Sequence, residues 1–322
     1  MKRSRGRIVI VAAHDDAHLD FVRPYIDSEI VTVEPYALSN DKALSYLYRG
    51  KESVVAYGSG LLNKVSAVWY RKPEMDLRGI ENPHEYRLYM RSAQATHVEA
   101  LYSQFSHALW VSDYYAINRA SNKPLQLEQA GSLGFRVPDT LTTSSEAAAS
   151  RFMQCYPTVI VKSEANVFPI VDGQHQFFPS TKVARGQKVS LRGLHHAPAI
   201  FQQAIEVVAD IRVTVIGKKL FAARVYDREI EQYPNIRDWR VLHTAGKTRF
   251  EAHDSLPVRL RSQCIDLVDR LGLRFGAIDL VLDKRGRYWF LEINPNGQWA
   301  FIEEDTGQSI GKALAELLEQ LP

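Results

Sequence analysis

Three oxygen-bearing side chains fall on one face of a hairpin that is otherwise apolar. Two β-rich runs are joined by a short polar turn, and pairing Asp283 with Tyr288 sets Asp279 directly opposite Glu292. Asn294 joins that face because side chains alternate along a strand. The apolar residues predicted on the other face are Ile278, Leu280, Leu282, Trp289, Leu291 and Ile293. The spacing therefore predicts two carboxylates and an amide gathered on one side of a sheet.

An opposed Asp279 and Glu292 suggest metal chemistry. Like charges facing each other destabilise a sheet unless cations lie between them. Mg²⁺ prefers such hard oxygen ligands and usually shares its coordination shell with phosphate oxygens. The alternative is a surface hairpin whose polar face meets water, with both carboxylates paired to lysines or arginines.

Basic side chains that could face these carboxylates lie upstream. Lys162 ends an apolar strand, a less ordinary place for a lysine than a helix surface. Arg212 and Asp210 share one strand face, so Arg212 is either a ligand-binding group or an ion-pair partner of Asp210. Lys123 lies in the first turn of a helix capped by Asn122, where a lysine is normally solvated.

Short apolar runs and capping residues predict the elements that must position these groups. An N-terminal α/β unit is indicated by strands at 8–13 and 65–70 and by helices at 20–28 and 83–109. Further strands are predicted at 158–162, 199–204, 211–216, 220–225, 277–282 and 288–294, and further helices at 257–271 and 310–321.

Length and composition indicate a globular protein. The 322 residues, 45% hydrophobic and 24% charged, are enough for two or three subdomains with a buried core. The net charge of +3 does not argue for a nucleic-acid partner. Cys155 and Cys264 lack the spacing of a disulfide framework or a zinc site. With no secretory signal and no apolar run of roughly 18 residues, we expect no membrane span and a cytoplasmic location.

Several short segments occur in a characteristic order. They are Asn122-Lys123, VIVK at 159–162, FQQAI at 201–205, DIRVTV at 210–215, GAIDL at 276–280 and EINPNG at 292–297. Together they resemble the ATP-grasp superfamily of ligases over roughly residues 113–321. The resemblance implies an α/β (α+β) ATP-grasp fold. Its parts would be a pre-ATP-grasp α/β domain at 1–112, a central lid part at 113–200 and a C-terminal metal-binding subdomain at 201–322.

The resemblance also implies a role for each candidate residue. ATP and two Mg²⁺ ions would be the cofactors, with Asp279, Glu292 and Asn294 as metal ligands. The residues implied for nucleotide binding are Lys123, Lys162, Gln202, Gln203, Ala204, Ile205, Glu206 and Asp210. Arg212 and Arg240 would hold an acyl phosphate and its tetrahedral successor.

The segment after Lys162 departs from the family pattern. Residues 163–178 contain only Gly173, where family members often have a glycine-rich loop that covers the phosphates. The composition of this segment predicts a mobile lid that becomes ordered with nucleotide.

Two further segments, VWYRKP at 68–73 and NGQW at 296–299, resemble the graspetide (microviridin-type) ligases. That resemblance implies activation of a side-chain carboxylate of a ribosomal precursor peptide and formation of an ω-ester or ω-amide bond. The alternatives are a carboxylate-amine ligase acting on a small carboxylate or a protein terminus, and a catalytically silent peptide-binding module. The sequence leaves the nucleophile and the oligomeric state open.

A different class of enzyme is suggested by His14, Asp15 and Asp16, which follow the first strand with His18 nearby. They resemble the metal-binding turn of zinc-dependent deacetylases. However, Asp15 and Ala17 replace the proline and glutamate of that turn, and no later His-x-x-His follows. A solvated strand-end loop or a substrate contact is favoured instead.

Overall fold

The computed structural model describes most of the chain. The described residues are 6–13, 15–37, 39–71, 73, 84–164, 170–171, 174–175, 180–227 and 248–320. His14 and Arg240 lie outside them, as does most of the predicted lid at 163–178. The expectation that the lid becomes ordered with nucleotide therefore stays a prediction.

The described residues form the following strands and α-helices. The strands are β1 (Arg7–Val11), β2 (Ile30–Val33), β3 (Leu44–Arg49), β4 (Glu52–Tyr57), β5 (Gly60–Leu61), β6 (Val65–Tyr70), β7 (Leu109–Val111), β8 (Thr140–Thr143), β9 (Thr158–Ser163), β10 (Ile170–Val171), β11 (Gln174–His175), β12 (Thr181–Ala184), β13 (Ala199–Gln203), β14 (Val207–Ile216), β15 (Lys219–Asp227), β16 (Thr248–Ala252), β17 (Phe275–Asp283) and β18 (Tyr288–Asn294). The α-helices are α1 (His18–Val22), α2 (His84–Tyr102), α3 (Tyr114–Ala120), α4 (Lys123–Ser132), α5 (Glu146–Cys155), α6 (Val258–Arg270), α7 (Ala300–Thr306) and α8 (Ile310–Leu318).

The N-terminal sheet has the strand order β2-β1-β6-β7, and all its pairs are parallel. Its central strands β1 and β6 are the two runs that the sequence predicts, and both are almost fully buried. The predicted helix at 20–28 is shorter than expected. It gives way at Arg23 to a 3-10 turn, because Pro24 has no N–H with which to continue the α-helical ladder.

The sequence also misplaces or misses elements near the N-terminal sheet. The helix predicted at 83–109 ends at Tyr102, and Leu109 instead begins the edge strand β7. The separate sheet β3-β4-β5 was not predicted. Its strands mix exposed and buried residues without a clean alternation, so periodicity does not reveal them.

The remaining strands described form a two-stranded antiparallel sheet, β10-β11, and two larger antiparallel sheets. Of these two, the smaller one, which we call the lid sheet, has the strand order β12-β9-β13-β8 and a small apolar core that includes Val159 and Phe201. The larger one, which we call the C-terminal sheet, has the order β16-β15-β14-β17-β18. Strand β13 runs across residue 200, where the sequence divides two subdomains, and the domain limits remain a prediction.

The C-terminal sheet is buried on both faces, and the N-terminal sheet contributes to both cores. On one face, Val213 and Ile278 join a cluster with Val9 of β1. On the other, Ala277 and Trp299 join a cluster that includes Ile8 and helix α8. The alternating side chains of β1 therefore serve two cores, which ties the N-terminal sheet firmly to the C-terminal one.

The β17–β18 hairpin pairs Asp279 with Glu292 as predicted, but its register next to the turn differs from the prediction. Next to the turn, Leu282 rather than Asp283 lies opposite Tyr288. A bulge at Leu291 then shifts the register by one residue and brings Asp279 opposite Glu292. The bulge also changes which residues face the core.

On the turn side of this bulge the sequence assigned the wrong residues of β18 to the core, whereas Leu280 of β17 is buried as predicted. Phe290 is fully buried, whereas Trp289 and Leu291 are only partly buried. Asp283 accepts hydrogen bonds from the Trp289 indole and from Arg287. The Asp283 carboxylate therefore stabilises the turn, and Asp283 is not the strand partner of Tyr288.

Candidate active site

The predicted metal ligands share one face at the open end of the hairpin. Asp279 and Glu292 lie directly opposite each other, and Asn294 is paired with Ala277, one step further along the face. The Asn294 Oδ1 accepts a hydrogen bond from the Asn296 N–H at 3.0 Å, which shapes the turn after β18. Two carboxylates and an amide oxygen form a hard donor set that fits a magnesium ion.

Arg212 lies against this donor set from the neighbouring strand. β14 pairs with β17 so that Arg212 is opposite Asp279, and its Nη1 donates to Asp279 Oδ1 at 2.8 Å. Its Nη2 donates to the Gln298 carbonyl at 3.3 Å. The side chain is buried, and its Nε–H has no hydrogen-bond acceptor among the described residues. The ion-pair alternative is thus corrected in one respect, because Arg212 pairs with Asp279 across the strands instead of with Asp210.

Lys123 connects the C-terminal sheet to the lid sheet. Its Nζ lies 3.7 Å from Glu292 Oε2 and 3.5 Å from the carbonyl oxygen of Ser163, at the end of β9. Asn122 caps α4 as the sequence predicts, accepting a hydrogen bond from the Leu125 N–H. Lys123 is therefore not the solvated helix lysine of the simpler interpretation, since it lies in the cleft between two sheets.

A buried glutamine fixes the helix that carries Lys123. Gln126 lies one turn further along α4 and is 2% exposed, so its amide must be satisfied by protein groups. Its Oε1 accepts from the Ile293 N–H, and its Nε2 donates to the Ile293 and Ala120 carbonyls. The side-chain amide of Gln126 thereby bonds to the main chain of β18 and holds α4 against this strand. The sequence does not single it out, because a glutamine in a helix is usually solvated.

Lys162 faces the cleft from the lid sheet. Its Nζ donates to Gln202 Oε1 at 2.9 Å, and Gln202 Nε2 donates to Thr140 Oγ1 at 3.0 Å. Ile160 and Ile200 share this face, whereas Val159 and Phe201 point into the lid core. Gln202 is therefore a side-chain partner of Lys162, in addition to the hinge position that the sequence gives it.

The predicted hinge continues from Gln202 towards β14. The N–H groups of Gln203 and Ala204 are used by the lid sheet, donating to the Asp139 and Thr158 carbonyls. Ile205 is partly buried. Glu206 is exposed and makes an ion pair with Lys284 in the β17–β18 turn, which is worth little in water.

Strand β14 separates Arg212 from the predicted hinge. Asp210 and Arg212 lie opposite Val281 and Asp279, so the strand runs from the hinge towards the carboxylates. Arg212 is six positions after Glu206, a span of about 20 Å in an extended strand. The described residues thus gather Lys123, Arg212 and the donor set at one end of the cleft, with the hinge at the other.

A second polar cluster lies where the N-terminal sheet meets the turn after β18. Arg71 Nε donates to Asp16 Oδ2 at 3.0 Å, and His18 Nδ1 lies 2.7 Å from Asp16 Oδ1. Arg71 Nη1 reaches Asn296 Oδ1 at 3.2 Å. Asp16 is therefore part of a buried network, and a solvated loop is excluded for this residue.

Burial and charge fix the ionisation of this cluster. Burial works against the charged form of Asp16, but the His18 hydrogen bond and the Arg71 charge outweigh it and hold the pKa of this carboxyl well below its usual range. Burial, aided by the Arg71 charge, lowers the pKa of His18 below its ordinary value of 6.5. A guanidinium occupies the place next to Asp16, which does not favour the deacetylase interpretation.

Gly297 allows the turn after β18 to approach Arg212 closely. A Cβ atom at this position would lie 2.5 Å from Arg212 Nη2 and 2.7 Å from Ala277 Cβ. Ala277 belongs to a buried strand and cannot move away. We expect Gly297→Ala to lower the free energy of unfolding by about 1–3 kcal/mol, measured by urea denaturation.

Gly131→Ala is the matched control for that substitution. An added Cβ atom at Gly131, inside α4, meets nothing within 4 Å. Its stability should be unchanged or higher, because alanine favours a helix more than glycine does. Equal stability of the two variants would contradict the close packing of Gly297 against Arg212.

Together, the two antiparallel sheets bridged by Lys123 and the carboxylate pair on the larger sheet define an ATP-grasp fold, and solved structures of such proteins match the chain over almost its whole length. One is a RiPP-associated ATP-grasp ligase from Chryseobacterium gregarium in complex with ADP and a leader and core peptide. It is 24% identical, with a TM-score of 0.85, over 97% of this chain and 96% of that one.

Two further solved structures are similar over the same extent. The macrocyclase MdnC from Microcystis aeruginosa MRC, bound to the precursor peptide MdnA, is 23% identical with a TM-score of 0.84, over 97% of this chain and 98% of that one. The ATP-grasp ligase PsnB, complexed with a minimal precursor, Mg and ADP, is 20% identical with a TM-score of 0.75, over 97% of this chain and 96% of that one. No protein-family model and no curated protein matches the chain. The predicted ATP-grasp fold is confirmed.

Among the described residues, no helix has the length and apolar character needed to cross a membrane.

Proposed function

We propose that this protein is an ATP-dependent ligase that activates a carboxylate as an acyl phosphate and joins it to a hydroxyl or an amine. The observation that carries the proposal is the arrangement around Asp279 and Glu292. Arg212 lies beside Asp279, and Lys123 lies beside Glu292. Lys123 also contacts the lid sheet, so anions entering the cleft would meet cations from both sides.

The residues present fit ATP and Mg²⁺. Asp279, Glu292 and Asn294 would hold two Mg²⁺ ions, which would neutralise charge on the phosphate oxygens during transfer. Lys123 and Lys162 would bind phosphate oxygens after exchanging their present partners, Glu292 and Gln202. The residues proposed to hold the base and ribose are Gln202, Gln203, Ala204, Ile205, Glu206 and Asp210.

Arg212 would act at the other end of the cleft, on the carboxylate that becomes activated. In the proposed reaction the carboxylate oxygen attacks the terminal phosphorus of ATP, and ADP leaves. The nucleophile then attacks the acyl carbon, loses its proton, and inorganic phosphate departs. The buried Arg212 guanidinium stabilises the negative charge that builds up in both steps, and Arg240 is proposed to assist it.

We propose a ribosomal precursor peptide as the substrate, with an ω-ester or ω-amide bond as the product. This is supported by the similarity of fold, over almost the whole chain, to a ligase and a macrocyclase that were solved with precursor, leader or core peptides. The alternative within the same fold is ligation of a small carboxylate or a protein terminus. A cytoplasmic location and a peptide partner belong to this proposal.

The test is a reaction of the purified protein with ATP, Mg²⁺ and a candidate peptide rich in Thr, Glu, Asp and Lys, encoded next to its gene. We expect release of ADP and, in the mass spectrum of the peptide, the loss of one water for each bond formed. ADP release with a small carboxylate but no peptide would favour the alternative ligase. Nucleotide binding without ADP release for any donor would contradict a ligase and favour a silent binding module.

A further inference from the structure

We propose that His18 is a positioning residue that holds the turn after β18, residues 294–299, in the geometry required for metal binding and for the placement of Arg212. The effect on metal binding and turnover rests on the proposed function. The structural part, a single histidine tautomer bound to the turn, does not.

The cluster around His18 is built by the N-terminal sheet. Asp16 follows β1, His18 begins α1, and Arg71 follows β6, so all three lie at the carboxyl ends of two adjacent parallel strands. Their side chains are almost completely buried. Burying such a cluster is costly unless its polar groups are hydrogen-bonded. Here Arg71 and His18 are hydrogen-bonded to the turn after β18.

The main chain of the turn fixes the tautomer of His18. The Trp299 N–H donates to His18 Nε2 at 3.0 Å. A main-chain amide can only donate, so Nε2 must be the unprotonated nitrogen. A neutral ring cannot also accept at Nδ1 from Arg71 Nη2, which lies 2.9 Å away. We assign the proton to Nδ1, donated to Asp16 Oδ1 at 2.7 Å, because Arg71 already donates to Asp16 Oδ2 and Asn296 Oδ1. Asp16 also accepts from the His18 main-chain N–H at 3.0 Å, which sets the ring and the start of α1 together.

The same turn leads to the candidate metal ligand on one side and to Arg212 on the other. Asn296 accepts from Arg71 through its side chain and donates to Asn294 through its main chain. Gln298, next to the residue held by His18, accepts from Arg212 through its carbonyl oxygen. Moving the turn would therefore disturb an amide of the donor set and one of the contacts that orient Arg212.

The aromatic packing leaves His18 little room for another orientation. Its ring meets Trp299 edge-on at a centroid distance of 5.0 Å, and Phe21 packs on the same indole. Trp299 is fully buried. Both charged groups that face His18 approach the same ring nitrogen: Asp16 Oδ1 lies 2.7 Å and Arg71 Nη2 lies 2.9 Å from Nδ1. The neutral ring with its proton on Nδ1 is the form that satisfies both Asp16 and the turn.

Two substitutions separate positioning from general stability. His18→Gln can place an acceptor near the position of Nε2 and keep the bond from Trp299. His18→Asn reaches only the position of Nδ1, so it can keep the Asp16 contact but loses the turn. Both introduce an amide into the same buried site, and His107→Asn, at an exposed position, is the external control.

The first measurement is ADP affinity by calorimetry with and without Mg²⁺. We expect His18→Asn to weaken the Mg²⁺-dependent affinity by roughly 10- to 100-fold, the range found for groups that orient metal ligands. His18→Gln should recover most of this loss, and affinity without Mg²⁺ should change little in either variant. Turnover should follow the same order. Equal behaviour of the two variants, or losses that track only their melting temperatures, would overturn the proposal.

The second measurement needs no ligand. Carbon and nitrogen chemical shifts of the His18 ring in the wild-type protein should report the tautomer with its proton on Nδ1, and finding the proton on Nε2 would overturn the proposal. If the wild-type protein binds Mg·ADP but joins no substrate, the proposed function fails while both measurements still decide the role of His18.

Discussion

Glu292→Gln is expected to reduce ADP formation to the background of the assay, a loss of at least about a hundredfold. The substitution keeps the size of the side chain but removes one of the two charges proposed to bind Mg²⁺. It should not unfold the protein, because the contact of Glu292 with Lys123 is long at 3.7 Å and glutamine fills the same space. ADP release with a complete substrate set and a thermal melt are the two measurements.

Glu251→Gln is the matched control for that experiment. Glu251 is an exposed glutamate on β16 of the same C-terminal sheet, and its substitution should leave both turnover and melting temperature unchanged. Full activity of Glu292→Gln would remove Glu292 from the proposed metal site. Loss of activity together with a large fall in melting temperature would instead indicate that Glu292 is needed for folding.

Arg212→Lys is expected to leave ATP affinity within a few-fold and to reduce turnover by on the order of a hundredfold. A lysine can still face Asp279, but an ammonium cannot reproduce the planar fork that holds Asp279 and the Gln298 carbonyl together. Arg212 lies beyond the predicted hinge and phosphate lysines, so nucleotide binding should persist. Calorimetry with ATP and the rate of ADP release measure the two effects separately.

Arg212→Ala should be more severe than the lysine variant. It leaves Asp279 poorly solvated beside an empty space, a change that costs about 3–5 kcal/mol when a buried pair is broken. The exposed Arg249 on β16 offers Arg249→Lys as the control. Parallel loss of ATP binding and turnover in Arg212→Lys would make Arg212 a nucleotide ligand. No change in either would leave it as a structural partner of Asp279. The same pair of measurements applies to Arg240, which lies outside the described residues.

The candidate metal site shows how a correct prediction can rest on a partly incorrect register. The sequence pairs Asp279 with Glu292 by counting back from Asp283 and Tyr288, whereas the structure pairs Leu282 with Tyr288 and recovers the register through a bulge at Leu291. Alternation alone carries no information about a bulge. The inward position of Phe290 was therefore missed, although the carboxylate pair itself was found.

Local chemistry is what the sequence determined by itself. Some features depend on residues only a few positions apart, and these were predicted. They are the β-branched runs of β1 and β6, the Asn122 cap of α4 and the pairing at the open end of the β17–β18 hairpin. Lys162, Asp279 and Glu292 were likewise singled out by residue type and spacing, whereas Lys123 was assigned only through the resemblance to the ATP-grasp family. Their proposed roles stay predictions until the variants are measured.

The tertiary structure alone decided what each of these side chains contacts. Arg212 pairs with Asp279 instead of the nearby Asp210, because strand pairing sets Asp279 directly across from it. His18 binds the main chain of Trp299, 281 residues away, and Arg71 binds Asn296, 225 residues away. Periodicity and capping act over a few residues, whereas these contacts depend on how the N-terminal sheet packs against the C-terminal one. These contacts form because the side chains are buried, and a buried polar group is costly unless it is hydrogen-bonded within the protein.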